Sequence, residues 1–220
     1  MAPELLELSI FPLPNVVFFP GTLLPLHIFE PRYRKMVQDA LQGDRRIGMV
    51  LQGSEWETRD SGIPEVHSVG GLGRINEAHE LDDGRYDILL RGVSRFRIVE
   101  FLSEAPYRLA RVELLVDLYE EQPEDQELVD QLISRFKDYL GPDRLGSKEG
   151  KLLTKVDFTT LTNSVCSAVQ IPMREKQALL EVDEVRIRAA TVLLILDQLL
   201  SRKRFIRGYT HLRPEDPGKN

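Results

Sequence analysis

Residues 10–36 read IFPLPNVVFFPGTLLPLHIFEPRYRKM and contain five of the 13 prolines in the chain. Two short apolar runs, Val16–Phe19 and Leu23–Phe29, are separated by Pro20 and Gly21. Both runs are too short for a helix and are rich in β-branched and aromatic residues, so they predict strands. Because proline has no N–H to donate to a sheet, the prolines are expected at strand edges, strand starts or bulges.

A short helix is predicted directly after these strands, over residues 31–41. Pro31 fits the first turn of a helix, where its missing N–H leaves no hydrogen bond unmade. Glu30, just before it, is expected to favour the positive end of the helix dipole and to bond Arg32 or Arg34. The apolar side of the helix is formed by Met36, Val37, Ala40 and Leu41.

Composition indicates a soluble globular protein. The chain has 220 residues, of which 42% are hydrophobic and 29% charged, enough to bury a substantial core. The N-terminus shows no secretory signal pattern and no apolar run is long enough to span a bilayer. The single cysteine, Cys166, excludes an internal disulfide and is expected to be a buried small hydrophobe. The predicted compartment is therefore the reducing cytoplasm.

The part of the chain that follows the first helix predicts a β-rich region. Apolar and alternating runs predict strands at Ile47–Leu51, His67–Ile75, Tyr86–Leu90 with its continuation to Ile98, and Tyr107–Val116. The glycines at 71 and 73 are expected to mark bulges or places where another backbone approaches closely, and Gly92 is expected at a turn or bulge. Asp83-Gly84 predicts a hairpin turn. Residues 52–65 are polar and predict a surface loop that contains Trp56.

Beyond an acidic segment at residues 117–125, the hydrophobic spacing changes to that of helices. We predict helices over residues 128–140, ended by Gly141-Pro142, over 158–168 with Asp157 as N-cap, over 173–180 after Pro172, and over 184–205 with Asp183 as cap. The predicted organisation is a β-rich subdomain at residues 1–118, a helical bundle at 119–207 and a disordered tail at 208–220.

Three segments carry a resemblance to one family. Residues 11–37 (FPLPNVVFFPGTLLPLHIFEPRYRKMV), 82–98 (DDGRYDILLRGVSRFRI) and 174–193 (REKQALLEVDEVRIRAATVL) resemble the amino-terminal, substrate-binding domain of Lon proteases. The resemblance extends over about residues 8–205, and Gly71 stands where this family usually has threonine. It implies an α+β fold, in which an N-terminal β-rich pseudo-barrel of the PUA-like type, with a short helix, is followed by a C-terminal helical bundle.

The sequence contains no recognisable catalytic motif. A complete Lon protease adds an ATPase module and a Ser–Lys protease module, but the chain has neither a phosphate-binding loop of the Walker A type nor a Gly-x-Ser-x-Gly elbow. The four histidines, His27, His67, His79 and His211, lack the spacing of a zinc-binding helix. His27 is instead expected to lie in the core or on a sheet face, bonded to backbone. We therefore expect no enzymatic activity, no cofactor and no metal.

The resemblance favours a module that binds unfolded or extended protein segments and works with a separate protease or chaperone. Unpaired strand edges could add a peptide strand, and an apolar cleft could take its side chains. The candidate peptide-binding residues are Phe18, Phe19, Leu23, Phe29 and Trp56, although for Phe18 and Phe29 a place in the core is favoured.

The alternative hypothesis is a nucleic-acid-binding module built on a PUA-like barrel. The strand arginines Arg91, Arg95, Arg97, Arg108 and Arg111 could form a basic strip for phosphate groups. The formal net charge of −6 argues against this hypothesis. The arginines would also suit the ordinary solvent-exposed face of a sheet.

Overall fold

The computed structural model describes residues 5–53, 65–141 and 156–209, with side chains as far as residue 205. Within these ranges the chain forms six strands: β1 (Leu5–Leu13), β2 (Leu23–Ile28), β3 (Arg46–Leu51), β4 (Val69–Glu80), β5 (Tyr86–Ser103) and β6 (Arg108–Leu115). The described helices are α1 (Pro31–Gln42), α2 (Asp125–Leu140), α3 (Phe158–Ala168), α4 (Met173–Glu181) and α5 (Val185–Tyr209).

The strands form a sheet that closes on itself. Their order is β2-β5-β4-β3-β1-β6, and an additional pairing between β5 and β6 completes a pseudo-barrel. Strand β5 is 18 residues long and therefore serves two purposes. Its first half pairs with β2, and its second half pairs with β6. Strand β2 is an edge strand outside the closed part of the sheet. The predicted α+β fold with a helical second half is confirmed.

The predicted strand at Val16–Phe19 is wrong, because this segment pairs with no other strand and crosses the sheet in an irregular conformation. Phe18 packs into the core beneath α1, whereas Phe19 packs into the core shared with the helices. Val17, Phe18 and Phe19 are all buried, and consecutive side chains enter different cores as they would in a strand, but the segment forms no ladder of hydrogen bonds.

Two glycines allow this segment to lie directly against the sheet. A Cβ atom at Gly71 would overlap the carbonyl group of Phe18, and one at Gly92 would overlap the carbonyl oxygen of Phe19. Gly92 also lies beside a bulge, since Leu72 faces Ser94 and Gly73 faces Gly92, which leaves Val93 unpaired between them. The sequence predicts a bulge or a close backbone approach at Gly71 and a turn or bulge at Gly92. The structure shows the close approach at Gly71 and a bulge beside Gly92.

The helices begin and end largely where the sequence predicts. Asp157 caps α3 by accepting a hydrogen bond from the Thr160 backbone N–H at 2.9 Å. Pro31 occupies the first turn of α1, and Pro172 precedes α4. Helix α5 continues to Tyr209, past the predicted end at residue 205, and its first N–H, that of Val185, donates to Leu118. The rest of the predicted tail, residues 210–220, lies outside the described residues.

The pseudo-barrel and the helices share one hydrophobic core. Val17, Phe19, Leu51 and Val69 from the β-rich part belong to the same buried cluster as the inner faces of α2, α3, α4 and α5. The last strand ends at Leu115 and the next helix begins at Asp125. The division into subdomains at residue 118 remains a prediction, and the shared core shows that the two parts are packed together.

A buried ionic network fastens the helices to the pseudo-barrel. Arg95 of β5 is 1% exposed, and its Nε donates to Asp117 Oδ1 at 2.8 Å. Its Nη1 donates to Asp183 Oδ1 and to the Leu180 carbonyl, both at 3.0 Å. Arg188 of α5 is fully buried and donates to the same Asp117 Oδ1 at 2.7 Å. One carboxylate therefore joins two buried guanidinium groups from different parts of the fold.

Substitution of Gly71 or Gly92 by alanine is expected to lower the free energy of unfolding by about 2–3 kcal/mol, because the new methyl group forces backbone apart in a packed region. Gly43→Ala is the matched control, since a Cβ there meets only ordinary contacts and its φ of −102° lies outside the left-handed region. Urea unfolding measures all three variants, and equal losses for Gly43 and Gly71 would contradict the proposed packing.

Asp117→Asn is expected to destabilise the protein by about 3–5 kcal/mol, because it leaves Arg95 and Arg188 buried without their shared charged partner. Glu100→Gln is the control, since its ion pair with Arg111 is exposed and should contribute less than about 1 kcal/mol. Chemical unfolding compares the two variants. A loss for Asp117→Asn no larger than that for Glu100→Gln would show that the network is dispensable.

Candidate functional site

The structure separates the five candidate peptide-binding residues. Phe18 and Phe19 are 3% and 0% exposed, so neither is accessible to a ligand in this conformation. Leu23 and Phe29 are 60% and 61% exposed, so the expectation that Phe29 belongs to the core is wrong. Phe29 lies between the end of β2 and the start of α1, where the chain turns away from the sheet and leaves the ring in solvent. Trp56 lies outside the described residues.

Phe29 borders a groove that we call the Phe29 groove, with a cavity volume of about 470 Å³. The groove is formed by the end of β1, the end of β2, the start of α1 and the segment that leads into β6. Its lining residues are Ile10, Phe11, Pro12, Leu13, Pro14, Leu26, His27, Ile28, Phe29, Glu30, Arg32, Tyr33, Gln52, Glu104, Tyr107 and Arg108.

Two incompletely paired strands line the Phe29 groove. Among the strands that the structure describes, β2 pairs with β5 alone. Strand β1 pairs with β6 only as far as Ile10, which faces the first residue of β6, Arg108. Residues 11–13 of β1 therefore have β3 on one side and no strand on the other within the described part of the chain. Such edges present free backbone donors and acceptors to an added strand.

Prolines limit what these edges can pair with, as the sequence predicts. Pro25 lies within the edge strand β2, and Pro12 lies in the part of β1 that β6 does not cover. Each removes one N–H donor from its strand. The groove consequently offers short stretches of free edge rather than a long flat one, which limits uncontrolled aggregation through this surface.

An aromatic and polar wall closes the other side of the groove. The rings of Phe11 and Tyr33 lie 4.2 Å apart between centroids, and the Arg32 guanidinium lies 4.5 Å from the centre of the Tyr33 ring. Arg32 also forms the predicted ion pair with Glu30, at 2.8 Å. Burial raises the pKa of the Tyr33 phenol above its ordinary value. These groups combine apolar ring surface with a few oriented charges, the usual make-up of a binding cleft.

Tyr107 connects the groove to α1. Its hydroxyl donates a hydrogen bond to Asp39 Oδ2 at 2.9 Å. Burial, and then this bond to the carboxylate, raise the pKa of Tyr107 to about 12. The phenol therefore remains a donor through the physiological range, and it holds the segment before β6 in position along the groove.

His27 does not bond to backbone, and this part of the prediction is wrong. Its Nδ1 lies 2.6 Å from Asp87 Oδ1, and its Nε2 lies 3.0 Å from Nη1 of Arg85. The cause is the register of β2 against β5, which sets His27 opposite Asp87. Because arginine only donates, Nε2 accepts and Nδ1 carries the proton that Asp87 accepts. Within the described residues, no group of three His, Cys, Asp or Glu side chains is arranged to hold a metal ion.

The five strand arginines of the nucleic-acid hypothesis do not form one exposed strip. Arg95 and Arg108 are 1% and 9% exposed. Arg111 forms an ion pair with Glu100. The arrangement therefore lacks the continuous basic surface that binding to a phosphate backbone requires.

The sequence provides little indication of the groove itself. Tyr33 and Tyr107 become neighbours of β1 only through strand pairing across most of the β-rich part. The available signal is the proline pattern, because Pro12 and Pro25 each predict an edge position. Two such edges in one closed sheet, separated by an exposed aromatic residue, would have indicated this site.

Comparison with known proteins identifies relatives over nearly the whole chain. Residues 7–198 match the family described as the ATP-dependent protease La (LON) substrate-binding domain. Lon protease 2 of Myxococcus xanthus is 32% identical over 203 residues, which cover 90% of this chain and 24% of that protein. The Lon protease of Anaeromyxobacter dehalogenans is 30% identical over 211 residues, covering 90% of this chain and 23% of its own. The chain thus spans about a quarter of the length of these relatives.

Solved structures show the same fold. The Lon N-terminal domain protein from Xanthomonas campestris superimposes with a TM-score of 0.62 at 22% identity, covering 86% of this chain and 98% of the other. The N-terminal domain of the Mycobacterium avium complex Lon protease gives a TM-score of 0.66 at 16% identity, with 87% and 98% coverage. Among the helices that the structure describes, none combines the length and apolar composition needed to cross a bilayer.

Tyr107→Phe is expected to lower the free energy of unfolding by on the order of 1 kcal/mol at about pH 8, through loss of the bond to Asp39. The pKa of the folded phenol, about 12, lies above its ordinary value of 10.0, so its stabilising effect is complete below about pH 10 and is lost as the pH rises toward 12. The difference between wild type and variant in urea unfolding should therefore shrink at about pH 11. A difference that stays constant between the two pH values would contradict the assigned bond.

Proposed function

The chain belongs to the family of Lon (ATP-dependent protease La) substrate-binding domains, and from that premise we propose that it is a non-catalytic module that binds extended segments of other proteins. It would act as an adaptor or recognition protein in proteolysis or protein quality control. The observation that carries the proposal is the Phe29 groove, in which two free strand edges run beside exposed aromatic surface.

The binding mode that this geometry supports is the addition of a strand. An extended peptide can form backbone hydrogen bonds with the free edge of β2 and with the outward carbonyl of Pro12 in β1, which gives affinity without demanding one sequence. Unfolded protein segments offer this kind of backbone, whereas folded surfaces seldom do. A recognition module for many different clients benefits from such tolerance.

Side-chain anchors would come from exposed apolar residues at the groove. Phe29 borders the groove, and Leu23 projects from the solvent-facing side of the same edge strand. Aromatic residues at the centre of an interface commonly contribute most of its binding energy. Phe18 and Phe19 support the site from within, because they hold the segment that leads into β2. Trp56 remains a candidate anchor on the basis of sequence alone.

A non-catalytic role is supported by the kind of domain that is matched and by the chemistry of the thiol. Residues 7–198 match a family described as a substrate-binding domain. Burial raises the pKa of the Cys166 thiol to about 12, so it stays protonated at neutral pH and is unsuited to act as a nucleophile. A separate protease or chaperone would act on the bound client, and we place this function in the cytoplasm.

Phe29→Ser is expected to weaken binding of an unfolded client about tenfold or more, because a central aromatic anchor is removed. The probe is fluorescein-labelled, reduced and carboxymethylated α-lactalbumin, and fluorescence anisotropy gives the dissociation constant. Leu194→Ser is the matched control, since Leu194 is 64% exposed on α5, away from the groove.

Hydrogen exchange distinguishes strand addition from other modes of binding. When the client is bound, the amides of Leu23 and His27 in β2, which face away from β5, are expected to exchange more slowly, because edge groups become hydrogen-bonded. Unchanged exchange along both β1 and β2, or equal affinity of wild type and Phe29→Ser, would place the client elsewhere and overturn the proposal.

A further inference from the structure

A second cavity, of about 690 Å³, lies between the strands β4 and β5 and the start of α3. None of its lining residues belongs to the Phe29 groove. Three arginines line it, Arg45, Arg74 and Arg91, and we call this site the arginine cavity. Its volume falls within the range of about 300–1,000 Å³ that small-molecule sites occupy.

Two of these arginines lie opposite each other in the sheet, and both are exposed. Arg74 of β4 lies directly opposite Arg91 of β5 in the strand register, so both side chains leave the sheet on the same side. Arg46 of β3 faces Arg74 in turn, but its Nε lies 3.4 Å from Asp44 Oδ2, so this third cation already has an acidic partner. Within the described part of the chain, neither Arg74 nor Arg91 forms an ion pair or a side-chain hydrogen bond. Like charges placed opposite each other destabilise a sheet unless something neutralises them.

Arg45 is held at the cavity by hydrogen bonds that join its backbone and its side chain to Ile75. Its φ of 64° lies in the left-handed region, which non-glycine residues rarely adopt. Its Nε donates to the Ile75 carbonyl at 3.0 Å, and the Ile75 N–H donates to the Arg45 carbonyl at 2.8 Å. The guanidinium is therefore fixed against β4, with both terminal nitrogens left to bind a ligand. Strained backbone of this kind tends to persist at functional sites.

The one acidic residue in the described lining does not neutralise these cations. Asp117 Oδ1 accepts hydrogen bonds from both Arg95 and Arg188, two buried arginines outside the cavity lining. Its negative charge is thus already shared by two other guanidinium groups. The first turn of α3 contributes little to anion binding, because Asp157 already occupies its N-cap. The excess positive charge of the cavity therefore comes from the three arginines.

We propose that the arginine cavity binds a small ligand that carries two or more phosphate groups. Guanidinium groups bind phosphate oxygens in pairs, and three of them match a multiply charged anion better than a single carboxylate does. Thr159 and Asn76 lie in the same lining and add neutral polar groups. The phosphates could belong to inorganic pyrophosphate or to a nucleotide, since both present the same chemistry to the arginines.

The experiment is calorimetric titration of the full chain with inorganic pyrophosphate, with ADP and with citrate, each at about 150 mM ionic strength. The Arg74→Gln, Arg91→Gln double variant is expected to lose about a hundredfold in affinity for the phosphate ligand, as two charged contacts disappear. Arg97→Gln is the matched control, because Arg97 is an exposed arginine of the same strand β5 that does not line the cavity. Its affinity should stay within about twofold of wild type.

Thermal unfolding without ligand separates binding from a structural role. The double variant should be at least as stable as wild type, because the substitutions relieve repulsion between opposed cations. Pyrophosphate or ADP should then raise the melting temperature of wild type but not that of the double variant. Comparison of the two dissociation constants shows whether inorganic pyrophosphate or the nucleotide ADP is the better ligand.

Four results would overturn the proposal: no binding of either phosphate compound at about millimolar concentration, citrate binding as tightly as pyrophosphate, an Arg97→Gln loss equal to that of the double variant, or a ligand-free double variant less stable than wild type. Equally tight binding of citrate would mean that the cavity binds carboxylates as well as phosphates. An equal loss for Arg97→Gln would mean that the ligand responds to the general positive charge of the surface and not to the cavity. Since the arginine cavity and the Phe29 groove share no residue, binding of the client by the double variant is measured separately, and either proposal can fail without the other.

Discussion

The buried guanidinium of Arg95 is the constraint around which the two halves of the molecule are arranged. A charge this deeply buried is costly unless it is paired and hydrogen-bonded. Its partners come from the segment after β6 and from the loop between α4 and α5. The helices therefore have to sit where they complete the set, and Asp117, which also binds Arg188, is fully engaged in doing so. That engagement leaves the arginine cavity positively charged.

The segment before β2, residues 16–22, determines where β2 lies on the sheet. Its backbone lies against Gly71 and Gly92, and its two phenylalanines enter different cores. The Gly21 N–H then bonds the Gly92 carbonyl at 3.0 Å, which directs the chain into β2 along the outside of the sheet. The same short stretch thus places an edge strand beside the Phe29 groove and forms a wall of the arginine cavity.

Local features of the fold could be predicted from sequence, whereas the exposure of particular side chains could not. Asp157 as an N-cap, Pro31 at a helix start and the turn at Gly84 depend on neighbouring residues, and these predictions are confirmed. Phe19 and Phe29 look alike in sequence, yet one is buried and the other exposed, because strands far away in the chain determine what covers each ring. The arginine cavity could be predicted least, because Arg74 and Arg91 become neighbours only through the register of β4 against β5.

Unfavourable features in the described structure are concentrated at two places, and their distribution supports the functional assignments. Only two buried side-chain polar atoms in the described residues lack a partner, on Gln177 and Arg188. By contrast, the Phe29 groove combines free strand edges with an exposed aromatic ring, and the arginine cavity combines opposed cations with a left-handed Arg45. A sequence under selection for stability alone would remove such features, because each has a simple stabilising substitution. Natural proteins depart from these rules mainly where binding requires it.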